Sequence, residues 1–327
     1  MLSVLRTFPR RLHHLTTRTM ATKITSNSGG NEFTNFAKDN FSQSGGSGLY
    51  DASRPTYPKQ AIMDILAQLP PRSTVVELGA GTGIFTRNFI EAVSTGTGAN
   101  NAIEKWIAVE PSEGMRKGFE DKWNRTNRVD MECVDGLFDK IPVEDVKADL
   151  VCLWVCIAQA FHWVGTDGSK AIKEIARVLK PGGLCAMIWN LEDREQPWVA
   201  KVREIYEHHE AGLMSGLFSD KGTPQYRLGL WKSIFRTEEY TTSFSEHSLK
   251  NYSQILTTNE DLVVNRALSK SYITALPKEK QDELAGRIRD IVKGAEDKVW
   301  IDEGKGTFGE LLNCDVPGKD LKRLPDF

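Results

Sequence analysis

The feature that most constrains the fold is a glycine-rich turn between an apolar segment and a helical one. Residues 74–78 read as a short strand, Gly79, Gly81 and Gly83 follow at alternate positions, and helical spacing begins at Ile84. Glycines at such a turn let the backbone bend sharply and approach a ligand closely. A dinucleotide-binding turn, G-x-G-x-x-G, would need its third glycine at position 84. The turn therefore predicts a ligand-binding strand–turn–helix unit and disfavours a nicotinamide dinucleotide.

Strand and helix patterns alternate from residue 58 to residue 189. Such alternation requires crossover connections, which produce a parallel sheet with helices on both faces. Apolar runs predict strands at residues 74–78, 106–110, 129–134, 150–155 and 184–189, and helical spacing predicts helices at residues 58–69, 84–93 and 169–179.

The alternation fades after Asn190. We expect one more strand at residues 240–244, another at residues 306–314 that returns to the sheet edge, and a helical insertion over the active face. The predicted fold is an α/β, seven-stranded, mostly parallel sheet. We divide the chain into a leader and linker (1–45), a ligand-binding domain (46–195) and a C-terminal region that completes the sheet on the substrate side (196–327).

Two acidic residues follow the second and third predicted strands. Glu110 ends the second strand, where a carboxylate can accept both ribose hydroxyls of a nucleoside. The alternative is a solvated glutamate at a strand end. Asp135 follows the third strand and precedes Gly136, so a simple Asp-Gly turn competes with a binding role.

Several segments together resemble one family. Glu77 stands two residues before the first glycine in the pattern E-x-G-x-G-x-G, and four further segments join it: 50–58 (YDASRPTYP), 158–163 (AQAFHW), 177–183 (RVLKPGG) and 189–190 (WN). The chain resembles the class I S-adenosylmethionine (SAM)-dependent methyltransferases, in the small-molecule branch related to trans-aconitate methyltransferase and its fungal relatives. The resemblance covers residues 40–200 well and the remainder loosely. It implies a Rossmann-like fold with SAM as the cofactor.

The resemblance also implies a set of cofactor contacts. In the family, the segment that precedes the sheet closes over the methionine end, where an arginine can pair with the carboxylate and aromatic faces favour the sulfonium. An aspartate after the third strand bonds the adenine amino group. Alternatively, Arg54-Pro55 and Tyr57-Pro58 only stiffen the entry to a helix. The predicted cofactor-binding set is Tyr50, Arg54, Tyr57, Glu77, Gly79, Ala80, Gly81, Gly83, Glu110, Asp135 and Gln159.

The substrate pocket is predicted beyond the fourth strand, at the sheet edge where open α/β sheets bind ligands. We assign Phe161, His162, Trp163 and Trp189 to its walls. His162 is the candidate catalytic residue, because an imidazole there could take a proton from a hydroxyl or orient a carboxylate as a donor. The alternative is a packed histidine with a structural role.

These residues predict a methyltransferase that acts on the carboxylate or hydroxyl of a small metabolite. The alternative is a non-catalytic SAM-binding or assembly protein that keeps the fold. Adjacent His208 and His209 lack the clustered cysteines of a zinc site, so no metal is predicted.

Composition narrows the partners. The 327 residues carry a net charge of −2, and this balance argues against nucleic-acid binding through phosphate contacts. The longest strongly apolar run, at residues 151–158, is far shorter than the roughly 20 residues of a membrane span. We therefore expect a small-molecule substrate and no nucleic-acid or membrane partner, and the oligomeric state is not predicted.

Residues 1–31 are basic and rich in hydroxyl side chains, with no acidic residue before Glu32. This composition is typical of a mitochondrial transit peptide. Against it, Met20 could serve as the translation start. We expect a cytoplasmic protein, with the mitochondrial matrix as the alternative if the leader is functional.

Overall fold

A single mixed sheet organises the chain. A computed structural model describes residues 51, 53–95, 103–123, 129–154, 168–214 and 230–320. The strands are β1 Ser73–Leu78, β2 Ile103–Val109, β3 Asp130–Val134, β4 Ala148–Trp154, β5 Leu179–Glu192, β6 Ser248–Thr258, β7 Val299–Asp302 and β8 Thr307–Asp320. The order across the sheet is β3-β2-β1-β4-β5-β8-β6, and β7 pairs with β8 off this path. Strands β1 to β5 run parallel to one another, and β8 is antiparallel to β5, β6 and β7.

Helices cover both faces of this sheet. Since successive side chains of a strand point to opposite faces, a strand that is apolar at consecutive positions must be covered twice. The helices are α1 Lys59–Leu66, α2 Ile84–Thr95, α3 Glu113–Trp123, α4 Ser169–Val178, α5 Pro197–Met214, α6 Glu238–Ser243, α7 Glu260–Leu268, α8 Ser271–Thr274 and α9 Lys278–Gly294. Val75 of β1 packs with helices α1 to α3, while Val76 and Leu78 pack on the other face with α4 and α6.

The C-terminal helices form a core of their own. Apolar side chains of α5, α7, α8 and α9 pack together with Phe308 of β8. Helix α7 begins after Asn259, whose side chain accepts from the Leu262 amide at 2.9 Å and caps the first turn. We call these four helices the helical layer. The layer lies beside the carboxyl end of β5, because β8, which contributes Phe308 to the same core, pairs with β5 up to Glu192.

The predicted strand at residues 240–244 is wrong. Residues 240–243 belong to α6, whose first turn is capped by Thr237, and Phe244 is the extended residue that ends the helix. The rings of Tyr240 and Phe244 stack at 5.2 Å and pack under the sheet. Tyr, Thr and Phe favour strands, but here the burial of Tyr240 and Phe244 against each other stabilises the helix.

The predicted class, an α/β fold with a mostly parallel sheet, is confirmed. The segment at residues 306–314 does enter the sheet, but between β5 and β6 rather than at an edge, and β6 takes the edge. The described residues also contain the four-residue β7, an eighth strand. None of the helices in the described ranges is long and apolar enough to cross a membrane. The division into three segments stays a prediction.

Candidate functional site

The glycine turn joins the ends of β1 and β2. Gly79, Gly81 and Gly83 have φ angles of 73°, 57° and 80°, in the left-handed region that glycine tolerates best. The amide of Gly79 donates to the Val109 carbonyl at 2.8 Å. The turn is therefore fixed to the last residue of β2, one residue before the predicted ribose-binding carboxylate.

Gly83 also faces a close neighbour. A Cβ at this position would lie 2.7 Å from both Phe119 Cδ2 and Trp123 Nε1 of α3. Both the dihedral angle and this contact require glycine, so the turn and α3 are packed as one unit.

Glu110 occupies the tip of β2 with both carboxylate oxygens engaged. Oε2 accepts from the Gly81 amide at 2.9 Å, and Oε1 accepts from the Ser112 amide at 2.8 Å. Burial raises the pKa of Glu110, and these two amides oppose the shift. A carboxylate has about four acceptor positions, so two remain for donors from a ligand. A pair of ribose hydroxyls would satisfy them.

Asp135 stands beside Glu110 at the same edge. Arg116 of α3 donates from Nη1 to the Glu110 carbonyl at 2.7 Å and to Asp135 Oδ1 at 3.1 Å. The Asp135 side chain is 62% exposed. The sheet thus brings two predicted cofactor residues together, with the exposed Asp135 carboxylate beside Glu110.

Glu77 is fully buried below the turn. Its Oε2 accepts from Thr86 Oγ1 at 2.5 Å and from Trp106 Nε1 at 2.9 Å, while Oε1 has no hydrogen-bond partner among the described residues. Burial raises the pKa of Glu77 to about 8, and the bonds from Thr86 and Trp106 oppose this. Its described contacts are with α2 and β2, and a cofactor contact stays a prediction.

An N-terminal strap, residues 51 and 53–57, crosses the sheet edge. Arg54 is buried and donates from Nη2 to the Ser269 carbonyl at 3.2 Å. Tyr57 is buried against Phe85, with ring centroids 5.3 Å apart, and its amide donates to Asn88 Oδ1 at 3.1 Å. The predicted residues of this segment therefore lie near both the turn and the C-terminal helices, and their cofactor roles stay predictions.

The end of β5 meets the strap. Asn190 Nδ2 donates to the Thr56 carbonyl at 3.0 Å, and Asn190 Oδ1 is buried without a partner in the described part of the chain. Trp189 is 1% exposed and lies in the cluster that contains Tyr240 and Phe244. Its described surroundings are therefore apolar core, and its place in a pocket stays a prediction. The predicted residues Tyr50, Gln159, Phe161, His162 and Trp163 lie outside the described residues.

A buried ionic network follows at Glu192, the last residue of β5. Glu192 bonds to Arg203 of α5 and, at 3.1 Å, to Lys270. Burial opposes ionisation of Glu192, but the neighbouring cations hold its pKa well below the ordinary value. Arg266 of α7 bonds to Glu310 of β8 at 2.5 Å. These pairs fix the C-terminal helices to the sheet.

Sequence reasoning missed five residues around the turn. Asp51 of the strap accepts from Thr82 and Lys122 and forms an ion pair with Arg87. Arg116 bridges Glu110 and Asp135. Asp51 stands inside the segment that carried the family resemblance, which was a usable signal. The cations lie on helices, where isolated basic residues read as solvated surface.

The arrangement can hold a nucleoside-containing cofactor. The glycine turn, which lets the backbone approach a ligand closely, the two remaining acceptor positions of Glu110 and the exposed Asp135 fit a ribose and a base at one edge. Within the described ranges, no group of three His, Cys, Asp or Glu side chains could hold a metal ion.

Comparisons with known proteins agree with this geometry. A family model described as a methyltransferase domain matches residues 76–187. An uncharacterised methyltransferase-like protein of Schizosaccharomyces pombe is 30% identical over 248 residues, or 75% of this chain and 83% of the relative. A second uncharacterised methyltransferase of this yeast is 28% identical over 252 residues, or 75% of this chain and 84% of that relative.

Solved structures are more distant. The structure of a putative type II methyltransferase from Anaeromyxobacter dehalogenans has a TM-score of 0.48 and 15% identity, and the match covers 82% of this chain and 97% of that one.

Proposed function

Because the chain belongs to the class I SAM-dependent methyltransferases, we propose that it transfers the methyl group of SAM to a carboxylate or hydroxyl of a small metabolite. The observation that carries the proposal is the Glu110 carboxylate, held by the Gly81 and Ser112 amides beside the glycine turn. A small acceptor and a relation to the trans-aconitate branch are parts of this proposal.

We assign cofactor contacts to the glycine turn and to Glu110, Asp135, Arg54 and Tyr57. Glu110 accepts the ribose hydroxyls, Asp135 accepts from the adenine amino group, and the glycine turn lets the backbone approach the cofactor. Arg54 and Tyr57 belong to the methionine side, because the strap spans the space between the turn and the end of β5.

Methyl transfer from SAM needs little chemical activation by the protein. SAM supplies a methyl group that its sulfonium already activates. The residues of this chain then act by holding the acceptor in line with that methyl group and by excluding water. A strap bonded to β5 and to the C-terminal helices closes one side of such a cleft, which favours a small acceptor over a macromolecule.

The acceptor can be identified by transfer of a labelled methyl group. The protein is incubated with methyl-labelled SAM and a cell extract, and the label is followed in the small-molecule, protein and nucleic-acid fractions. At a SAM concentration below saturation, we expect label in the small-molecule fraction, reduced by Glu110→Ala and kept by Glu104→Ala, a control on the exposed part of β2. Label in a macromolecular fraction would contradict a small acceptor. Tight binding of SAM without transfer to any fraction would favour the non-catalytic alternative.

The role of His162 separates the two acceptor classes. His162→Ala should lower turnover while SAM affinity and melting temperature stay near wild type. For a hydroxyl acceptor that needs a base, the rate falls as the pH drops through about 6.5, the ordinary imidazole value. For a carboxylate that needs only a donor, the acid limb flattens or reverses. A variant that melts far lower, with unchanged activity per folded molecule, would show that His162 is structural.

A further inference from the structure

The strap is anchored through several of its residues. Arg266 Nε donates to the Ser53 carbonyl at 3.3 Å, and the Arg54–Ser269 bond joins the same helical region. The Thr56 carbonyl accepts from Asn190 of β5 at 3.0 Å and from Gln254 of β6 at 2.6 Å. These contacts hold the C-terminal part of the strap to the sheet and to the helical layer.

Asp51 forms the remaining anchor, and it reaches the glycine turn. Its Oδ1 accepts from the hydroxyl of Thr82, which stands between Gly81 and Gly83. Its Oδ2 accepts from Lys122 of α3 and lies 3.0 Å from Arg87 Nη2 of α2. Arg87 also donates to the Thr82 carbonyl at 3.3 Å, so Thr82 is bonded at both its side chain and its backbone. We call these four residues the Asp51 cluster.

The charges in this cluster are unequal. One carboxylate faces two cations, and the Asp51 side chain is 17% exposed while those of Arg87 and Lys122 are 34% and 33% exposed. Partial burial strengthens the attraction relative to a fully exposed pair, yet the pair remains open to screening by salt. Loss of the carboxylate would leave the two cations next to each other beside the turn and would free this end of the strap.

We propose that Asp51 is a positioning residue that fastens the strap to the glycine turn and thereby slows the release of the cofactor. It joins the turn, through Thr82, to a segment that is bound at its other end to β5 and to α7. The Asp51 cluster thus couples the part of the chain that contacts the cofactor to the helical layer. The inference rests on cofactor binding at the turn and is independent of the acceptor.

The test is the dissociation rate of S-adenosylhomocysteine, measured by displacement from full-length wild type and variants. Asp51→Asn should raise this rate about five- to tenfold while the association rate changes little, because the loss of contacts that hold a bound ligand acts mainly on the dissociation rate. Asp51→Glu, which keeps the charge, should restore the slow rate. Asp64→Asn is the matched control, because Asp64 also binds a lysine and two polar side chains but lies on α1.

Two further readouts distinguish positioning from a purely structural role. Added salt should speed dissociation from wild type and have a smaller effect on Asp51→Asn, since the screened attraction is then already gone. Hydrogen exchange of the backbone amides of residues 53, 54, 56 and 57 should slow on ligand binding in wild type and less so in the variant. An Asp51→Asn protein with a lower melting temperature but an unchanged dissociation rate and salt response would overturn the proposal. Failure of wild type to bind the ligand would instead refute the cofactor site itself.

Discussion

The carboxyl group of Glu77 lies in the middle of the sheet, where its ionisation is energetically unfavourable. The side chain is completely buried, and the two donors that reach it, Thr86 and Trp106, are both neutral. A neutral neighbourhood cannot offset the loss of hydration of a negative charge. The pKa of Glu77 is therefore raised from the ordinary 4.5 to about 8, and the folded protein holds a proton there at neutral pH.

This shift predicts a pH-dependent stability. Between about pH 4.5 and pH 8 the folded state keeps a proton that the unfolded state has lost, so the free energy of unfolding falls as the pH rises and levels off above pH 8. Glu77→Gln removes the proton exchange, so wild type should lose on the order of 2 kcal/mol relative to the variant between about pH 6 and pH 8. Denaturant unfolding without cofactor measures this difference.

The control is Glu104→Gln, at an exposed glutamate whose pKa is lowered by its bond to Arg72. Its difference from wild type should stay constant over the same pH range. Parallel pH profiles for wild type and Glu77→Gln would mean that Glu77 is ionised in the folded protein.

Among the secondary-structure elements, strands β1 to β5 were easier to predict than the elements that pack beside them. Strands β1, β2, β4 and β5 lie inside the sheet and are buried over much of their length, so they read as apolar runs. Strand β3, at the edge, is at most half-buried and carries Asp130 and Glu132. The sequence predicts these five strands with errors mainly at the ends. Strand β6 was missed because exposed and half-buried residues alternate in it from Asn251 to Thr257, and such an edge strand resembles a loop. The Gly83 contact with α3 could not be predicted, since a glycine pattern does not reveal which helix packs on it.

Gly83→Ala tests the packing of the turn on α3. The new Cβ would meet Phe119 and Trp123 at 2.7 Å with the backbone at φ +80°, so we expect a loss of about 2–4 kcal/mol in the free energy of unfolding. Gly286→Ala is the control, because Gly286 lies in α9 with open space around it and the change should stabilise the protein by about 0.5–1 kcal/mol. Equal effects of the two changes would contradict the geometry of the turn.

Over the whole molecule, the C-terminal helices depend on contacts between distant parts of the chain. Arg266 bonds to Glu310 of β8 and to the Ser53 carbonyl, 213 residues away in sequence. The Arg54–Ser269 contact spans 215 residues. Local periodicity carries no information about such pairs, so the sequence could place Arg54 in a functional segment but could not show that it reaches this helical layer.

Arg266→Met should therefore be strongly destabilising. It leaves the Glu310 carboxyl buried without its cation, and we expect a loss of about 3–5 kcal/mol in the free energy of unfolding. Adding Glu310→Leu should recover part of this loss, because the uncompensated charge is then gone. Arg289→Met, at a largely exposed pair with Asp261, should cost less than about 1 kcal/mol. A similar small cost for Arg266→Met would show that the buried pair does not hold the helical layer in place.

The central claim is that the glycine turn and Glu110 form a SAM site, and calorimetric titration tests it most directly. Wild type should bind SAM and not NAD, and Glu110→Ala should weaken SAM binding by about 1–3 kcal/mol, the cost of leaving two ribose hydroxyls without a charged acceptor. Glu104→Ala, on the exposed part of β2, should bind like wild type. An unchanged dissociation constant for Glu110→Ala, or binding of NAD in place of SAM, would show that the glycine turn and Glu110 do not form a SAM site.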